Sequence, residues 1–106
     1  MDFYQQSLAI TKQIGDRNGE ARSLNNLGLA YNNLGQYQKA IDFYQQSLAI
    51  RKQIGDRNGE GRSINNLGYA YFHLGQYQKA IDFFSNPCQF ISKSVIALVK
   101  EIRSSV

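Results

Sequence analysis

The sequence contains few of the residues on which disulfides, metal sites and membrane spans depend. Its 106 residues include one cysteine, one proline and one histidine, and no tryptophan. Because Cys88 is alone, it cannot form a disulfide within the chain, and a reducing cytoplasm is the expected compartment. No apolar run reaches the length of a membrane span and no signal peptide precedes the first motif, so we expect a cytoplasmic protein that binds no membrane.

The positive charge of the chain is too small and too dispersed to indicate a nucleic-acid partner. The formal net charge is +4 at pH 7, and half of it comes from residues 85–106, where Lys93, Lys100 and Arg103 outnumber Glu101. Elsewhere, basic and acidic side chains alternate instead of forming the basic stripe typical of nucleic-acid binding. We therefore expect no nucleic-acid partner.

No set of residues in the sequence indicates catalysis, a metal site or a cofactor. His73 is the single histidine, whereas a metal site needs several ligands and a general base needs partners that hold it. The segment GDRNGE occurs twice but lacks the Lys-Ser/Thr pair of a phosphate-binding loop, so we interpret it as a turn between helices. We predict that the protein is not an enzyme and binds no cofactor or metal ion.

What the sequence does contain is a repeat of 40 residues. Residues 2–44 and 42–84 are identical at 36 of 43 aligned positions. They differ at the pairs 11/51, 21/61, 24/64, 29/69, 32/72, 33/73 and 44/84. A fixed period of this length is typical of a solenoid built from stacked supersecondary units.

Each unit is predicted to be a pair of helices. Apolar residues of the first helix recur at helical spacing, at Leu24, Leu27, Ala30, Tyr31 and Leu34. Those of the second are Tyr37, Ala40, Ile41, Tyr44 and Leu48, with Ile54 as a further candidate. Gly35 and Gly55 are predicted to end the helices, and Asp56 to cap the next one. Long helices joined by such short turns must lie antiparallel.

The small and apolar residues of the repeat carry a resemblance to the tetratricopeptide repeat family. The motifs are Leu24-x2-Leu27-Gly28-x2-Tyr31 with Ala40-x3-Tyr44, and Ile64-x2-Leu67-Gly68-x2-Tyr71 with Ala80-x3-Phe84. Leu or Ile replaces the usual Trp and the closing Pro is absent. This 40-residue form resembles the repeats of Pins-type adaptors and, more loosely, of kinesin light chain, which are binding scaffolds.

The resemblance implies an all-α fold, a right-handed α-solenoid of antiparallel helix pairs. Residues 1–84 are predicted to supply about five helices, as a half repeat (1–14), a full repeat (17–54) and a partial repeat (57–84). The non-repeat tail, residues 85–106, is predicted to add one helix over about 87–103. A strand at SVIALV and a kinked continuation of the preceding helix are the alternatives.

The tail begins where the third copy of the repeat fails. FFSNPCQF stands where FYQQSLAI is due, and Pro87 is expected to end the preceding helix near Phe84 or Ser85. With suitable codons, loss of one base converts FYQQSLSIYKQIGDRSGEG into FFSNPCQFISKSVIALVKE, which is residues 83–101. We therefore interpret the tail as the product of a frameshift.

The candidate binding residues follow from the resemblance, because the first helix of each tetratricopeptide unit lines the concave groove. In the first unit these are Arg22, Asn25, Leu29, Asn32 and Asn33. In the second they are Arg62, Asn65, Tyr69, Phe72 and His73. Arg and Asn suit an extended, acidic peptide, and Tyr69 and Phe72 offer an aromatic anchor. Four differing pairs, 29/69, 32/72, 33/73 and 21/61, are predicted on or beside this face, although drift at an unconstrained surface would place them there equally.

Two functions remain open at this point. One is a scaffold that binds a protein or peptide partner, possibly an acidic one, in the groove. The other is self-association without an external ligand, as a homodimer or by exchange of helices, since a short stack leaves both ends uncovered. The candidate residues for self-association form the apolar stripe of the tail: Phe90, Ile91, Val95, Leu98 and Ile102.

Overall fold

Five helices make up the part of the chain that the computed structural model describes, which is residues 2–85 and Glu101. They are α1 (Asp2–Ile14), α2 (Arg17–Asn33), α3 (Tyr37–Gln53), α4 (Arg57–His73) and α5 (Tyr77–Phe84). No strand occurs among these residues. The predicted all-α fold of helix pairs is therefore confirmed over the repeats.

The turns between the helices form where the sequence predicts them. Gly35 and Gly55 have φ angles of +77° and +73°, a backbone conformation that glycine adopts without steric cost. Asp56 then caps α4, because its carboxylate accepts a hydrogen bond of 2.9 Å from the backbone N–H of Gly59. Asp16 caps α2 through Gly19 in the same way. GDRNGE is thus a turn followed by a capped helix start, as predicted.

Each helix packs against the next one in the chain, and the small residues of the motif allow the close approach. At Gly28 an added Cβ would lie 2.5 Å from Cε1 of Tyr44, so the tyrosine ring lies directly on the backbone of α2. Phe84 covers Gly68 in the second unit in the same manner. Gly28 and Gly68 therefore leave the space in which the aromatic rings of the second helices pack.

Of the eleven predicted apolar residues, five are buried in the core, four are half-buried and two are exposed. Leu24, Leu27, Ala40, Ile41 and Tyr44 are all at most 1% exposed. In contrast, Leu34 and Ile54 are 58% and 42% exposed, and their predicted burial is wrong. Both are the C-cap residues of their helices, and there the chain turns away from the packed face.

Helix α5 ends early, at Phe84, with Ser85 as its C-cap, whereas the equivalent helix α3 continues to Gln53. The early end agrees with the prediction from Pro87. The tail helix over about 87–103, and the residues predicted to mediate self-association (Phe90, Ile91, Val95, Leu98 and Ile102), lie outside the described residues. Both stay predictions.

Candidate functional site

The side chains predicted to line a groove lie on one surface formed by α2 and α4, which we call the groove face. Its exposed members are Arg22, Leu29, Asn33, Arg62, Tyr69 and His73, and its half-buried members are Asn25, Asn32, Asn65 and Phe72. A hydrogen bond between Asn66 on α4 and Asn25 on α2 joins the two helices. The candidate residues of the two units therefore meet at this hydrogen bond.

Positive charge is concentrated at one end of the groove face. Arg22 and Arg62 occupy the same position in successive units, and both are exposed. Within residues 3–85 neither guanidinium forms a hydrogen bond or an ion pair. Burial lowers the pKa of the nearby Arg51, and the charges of Arg62 and Arg22 lower it further against the opposing effect of Asp56. Three guanidinium groups thus share one region, which favours an anionic ligand.

Asparagine amides run along the middle of the groove face. Nδ2 of Asn66 donates a hydrogen bond of 2.9 Å to Oδ1 of Asn25. The equivalent oxygen, Oδ1 of Asn65, is buried and accepts no hydrogen bond from the described part of the chain, and the same holds for Oδ1 of Asn32. Since a buried acceptor without a donor costs free energy, these two oxygens reduce the stability of the fold and are not themselves exposed to a ligand.

The register of the repeat explains why Asn65 lacks the donor that Asn25 has. Asn25 receives its hydrogen bond from the unit that follows it. Among the described residues no further first helix follows α5 to supply the equivalent donor to Asn65. Sequence reasoning did not single out Asn66, because the helical spacing puts it beside the groove positions rather than among them. The repeated Asn-Asn pair of NNLG was the signal that could have found it.

The predicted aromatic anchor is only partly free. Tyr69 is 43% exposed, although the edge of its ring packs on Phe84 with 5.1 Å between centroids. Phe72 is half-buried and contacts Tyr77, and His73 stacks on Tyr37 at 5.1 Å. Phe72 is thus partly covered and one face of the exposed His73 ring is occupied by Tyr37, so we expect Tyr69 to be the aromatic side chain best placed to meet a ligand.

One variable pair does not lie where it was predicted. Ala21, the partner of Gly61 in the alignment, is fully buried, and its carbonyl oxygen accepts a hydrogen bond of 2.8 Å from Ser47 on α3. It therefore belongs to the packing between α2 and α3 and not to the groove face. The other three pairs, 29/69, 32/72 and 33/73, lie on the groove face.

The part of the chain that the structure describes contains no group of three or more His, Cys, Asp or Glu side chains that could hold a metal ion. None of its helices is long and apolar enough to cross a membrane.

Comparison with known families gives a match over nearly all of the described residues. The profile of the tetratricopeptide repeat matches residues 2–53 and, in a second overlapping match, residues 22–85. No curated protein matches the chain.

Proposed function

Because the chain belongs to the tetratricopeptide repeat family, whose members generally mediate protein–protein interactions, we propose that it is a non-enzymatic scaffold that binds an extended acidic segment of a partner along the groove face. The observation that carries this proposal is the pair of exposed arginines, Arg22 and Arg62, that no acidic side chain of residues 3–85 pairs with. Within the family, the 40-residue period favours the variety found in Pins-type adaptors.

The arginines account for the preference for acidic residues. A guanidinium group binds a carboxylate through two parallel, charge-assisted hydrogen bonds, which are about twice as strong as neutral ones. Arg22 and Arg62 come from adjacent first helices, so two carboxylates of one extended segment can each meet one arginine. The buried Arg51 adds positive potential nearby without contacting the ligand itself.

An asparagine accounts for binding to the backbone of the segment. The exposed amide of Asn33 can donate a hydrogen bond to a peptide carbonyl group and accept one from a peptide N–H group. A segment that is extended, and not helical, presents such N–H groups unpaired. Leu29 and Tyr69, which are 40% and 43% exposed, provide apolar surface for a ligand side chain between the acidic ones.

The test uses a blocked, fluorescent peptide built from Glu, Ser and Leu, and a matched peptide in which Lys replaces Glu. We expect the chain to bind the acidic peptide and not the basic one, with an affinity that falls as salt is added. Substitution of both Arg22 and Arg62 by Ala should weaken binding of the acidic peptide about a hundredfold, since two charge-assisted contacts are lost.

A control variant removes the same charge elsewhere. Lys12 and Lys52 are exposed in the last turns of α1 and α3, away from the groove face. The double substitution of these lysines by Ala should leave binding of the acidic peptide within about threefold of the unaltered chain. Equal losses in the two double variants, or equal binding of the acidic and basic peptides, would contradict the proposal.

A further inference from the structure

The segment GDRNGE places an asparagine directly before a glycine in the first turn of α2 and again in the first turn of α4. Both asparagines, Asn18 and Asn58, are exposed. An asparagine before glycine is the arrangement in which the side-chain amide is lost most easily, because glycine has no side chain to hinder attack by its backbone nitrogen. The two copies are therefore candidate modification sites with the same local sequence.

The aspartate caps hinder this reaction at both sites. The backbone N–H of Gly19 donates a hydrogen bond of 2.9 Å to Oδ1 of Asp16, and that of Gly59 donates one of 2.9 Å to Oδ1 of Asp56. Attack requires the glycine nitrogen to lose this proton and to approach the amide carbon of the asparagine, so the capped turn must open first. The rate in the folded protein is therefore proportional to the fraction of molecules in which the first turn is open.

One side chain makes the two first turns unequal. Nη1 of Arg51 donates a buried hydrogen bond of 2.8 Å to the carbonyl oxygen of Gly59, and this bond ties the first turn of α4 to α3. At the counterpart position in α1, the hydroxyl of Thr11 donates instead to the carbonyl oxygens of Ser7 and Leu8 in its own helix. The first turn of α2 therefore lacks the tie that Arg51 provides to α4.

The first turn of α2 has a contact of its own, but this contact lies in solvent. Nη2 of Arg17 donates an exposed hydrogen bond of 2.7 Å to Oε1 of Gln53. A hydrogen bond in the protein interior is electrostatically stronger than one surrounded by water. We therefore expect the first turn of α2 to open more often than that of α4.

We propose that Asn18 is a site of spontaneous deamidation in the folded protein, that Arg51 protects Asn58, and that the carboxylate formed at position 18 weakens binding of acidic segments to the groove face. The backbone nitrogen of Gly19 attacks Cγ of Asn18. The new N–Cγ bond forms, the Cγ–Nδ2 bond breaks, and ammonia leaves with the proton of the glycine N–H. Water then hydrolyses one of the two C–N bonds of the resulting succinimide, which gives aspartate or isoaspartate.

The carboxylate at position 18 would lie one helical turn before Arg22, which is exposed. Opposite charges four residues apart on a helix attract each other, so the aspartate competes with the ligand for this arginine and also repels the carboxylates of the ligand. A negative charge in the first turn suits the helix dipole, so the aspartate form stays folded. The effect on binding rests on the proposed function, whereas deamidation at Asn18 does not depend on it.

Peptide mapping of the folded full chain tests the deamidation. Trypsin releases residues 18–22 as NGEAR and residues 58–62 as NGEGR, so mass spectrometry distinguishes the two sites. In mildly alkaline buffer, we expect Asn18 to deamidate at least about threefold faster than Asn58, because opening of α4 must also break the bond from Arg51. In urea, where neither turn is formed, the two rates should agree. Equal rates in the folded protein, or no reaction there at Asn18, would contradict the proposal.

Exchange of the residues at equivalent positions supplies matched variants. Arg51→Thr should bring the two rates within about twofold of each other, because α4 then lacks its tie as α2 does. Thr11→Arg is the decisive variant, since it adds a tie to α2 and does not act by lowering the overall stability. It should slow deamidation at Asn18 to about the rate at Asn58. An unchanged rate at Asn18 in Thr11→Arg would show that this position does not control opening of the turn.

A binding measurement tests the effect on the groove face. We expect the acidic peptide to bind about fivefold more weakly to Asn18→Asp than to the unaltered chain. Gln38→Glu is the matched control, because Gln38 is exposed and is the second residue of α3, as Asn18 is of α2. It should leave the affinity within about twofold.

The outcomes separate this inference from the proposed function. If Asn18→Asp binds the acidic peptide as tightly as the unaltered chain does, deamidation does not regulate the groove face, and the proposed function stands. If the unaltered chain does not bind the acidic peptide, the proposed function fails, and the ratio of the two deamidation rates still decides whether Arg51 protects Asn58.

Discussion

Nη1 of Arg51 donates a hydrogen bond of 2.8 Å to the carbonyl oxygen of Gly59, and so ties the last turn of α3 to the first turn of α4. The same nitrogen lies 3.3 Å from Oγ of Ser63. Arg51 is only 3% exposed, although it is charged. Its counterpart in α1 is Thr11, so the junction between α1 and α2 lacks this guanidinium.

Removing the guanidinium should destabilise the protein. We expect Arg51→Ala to lower the free energy of unfolding by about 1–3 kcal/mol, because the fully buried Ser63 hydroxyl loses a partner and a cavity is left. Urea unfolding followed by circular dichroism measures the effect. Lys52→Ala is the control, as Lys52 is the exposed neighbour on the same helix. Equal effects of the two substitutions would show that Arg51 contributes nothing beyond helix propensity.

The buried tyrosine of the first unit should make stability depend on pH in the alkaline range. Burial raises the pKa of Tyr44 from 10.0 to about 12. The folded state therefore keeps the phenol neutral while the unfolded chain ionises, so this contribution is complete below pH 10 and is lost as the pH rises from 10 to 12. The loss should reach about 2 kcal/mol near pH 12.

The comparison variant for this effect is Tyr44→Phe, because the second unit has Phe84 at the same position. The other tyrosines are common to both proteins, so the difference in unfolding free energy between them isolates Tyr44. As the pH rises above 10, the unfolding free energy of the unaltered chain should fall relative to that of Tyr44→Phe. A difference that stays constant up to pH 12 would mean that Tyr44 ionises without penalty in the folded protein.

The amide pair that connects the two first helices should contribute measurably to their packing. Asn66→Ala removes the donor to Asn25 and should cost about 1 kcal/mol of unfolding free energy. Asn26→Ala, at the same position of the first unit, removes a side chain that has no such bond within residues 2–85 and should be nearly neutral. A double-mutant cycle with Asn25→Ala gives the coupling free energy directly. A coupling free energy of zero would mean that the hydrogen bond between Asn66 and Asn25 does not stabilise the packing of α4 against α2.

Restoring the repeat in the tail should lengthen α5. If residues 83–101 are replaced by FYQQSLSIYKQIGDRSGEG, we expect α5 to approach the 17 residues of α3, since Pro87 is removed and helix-forming residues follow. Helical ellipticity and the unfolding temperature should both rise. The matched control keeps proline at position 87 within the restored segment and should lose most of the gain. No gain in either protein would show that Pro87 does not limit α5.

The frameshift interpretation makes a prediction about the gene. With one base added at codon 84, the reading frame should encode a recognisable third copy of the repeat through codon 101. Sequencing the gene decides the question. A restored frame without the repeat would refute the interpretation, and the tail would then need another origin.

Local sequence was sufficient for most of the fold. The glycine turns and the Asp56 cap were predicted correctly, because they depend on residues a few positions apart. The burial of Leu34 and Ile54 was not, since periodicity cannot show where the chain leaves the packed face. The groove face was predicted from the resemblance and helical spacing, but Asn66 and the contacts of Phe72 and His73 involve helices far apart in the chain.

What the sequence determined by itself was the unit: two amphipathic helices, their caps and a repeat that places equivalent residues on equivalent faces. What only the tertiary structure decided was the environment of each copy. Tyr4 and Tyr44 have the same neighbours in sequence, yet one is exposed and the other lies against Gly28. Burial of a side chain in a solenoid depends on the adjacent helix. A repeated sequence does not indicate which of its copies has an adjacent helix that covers it.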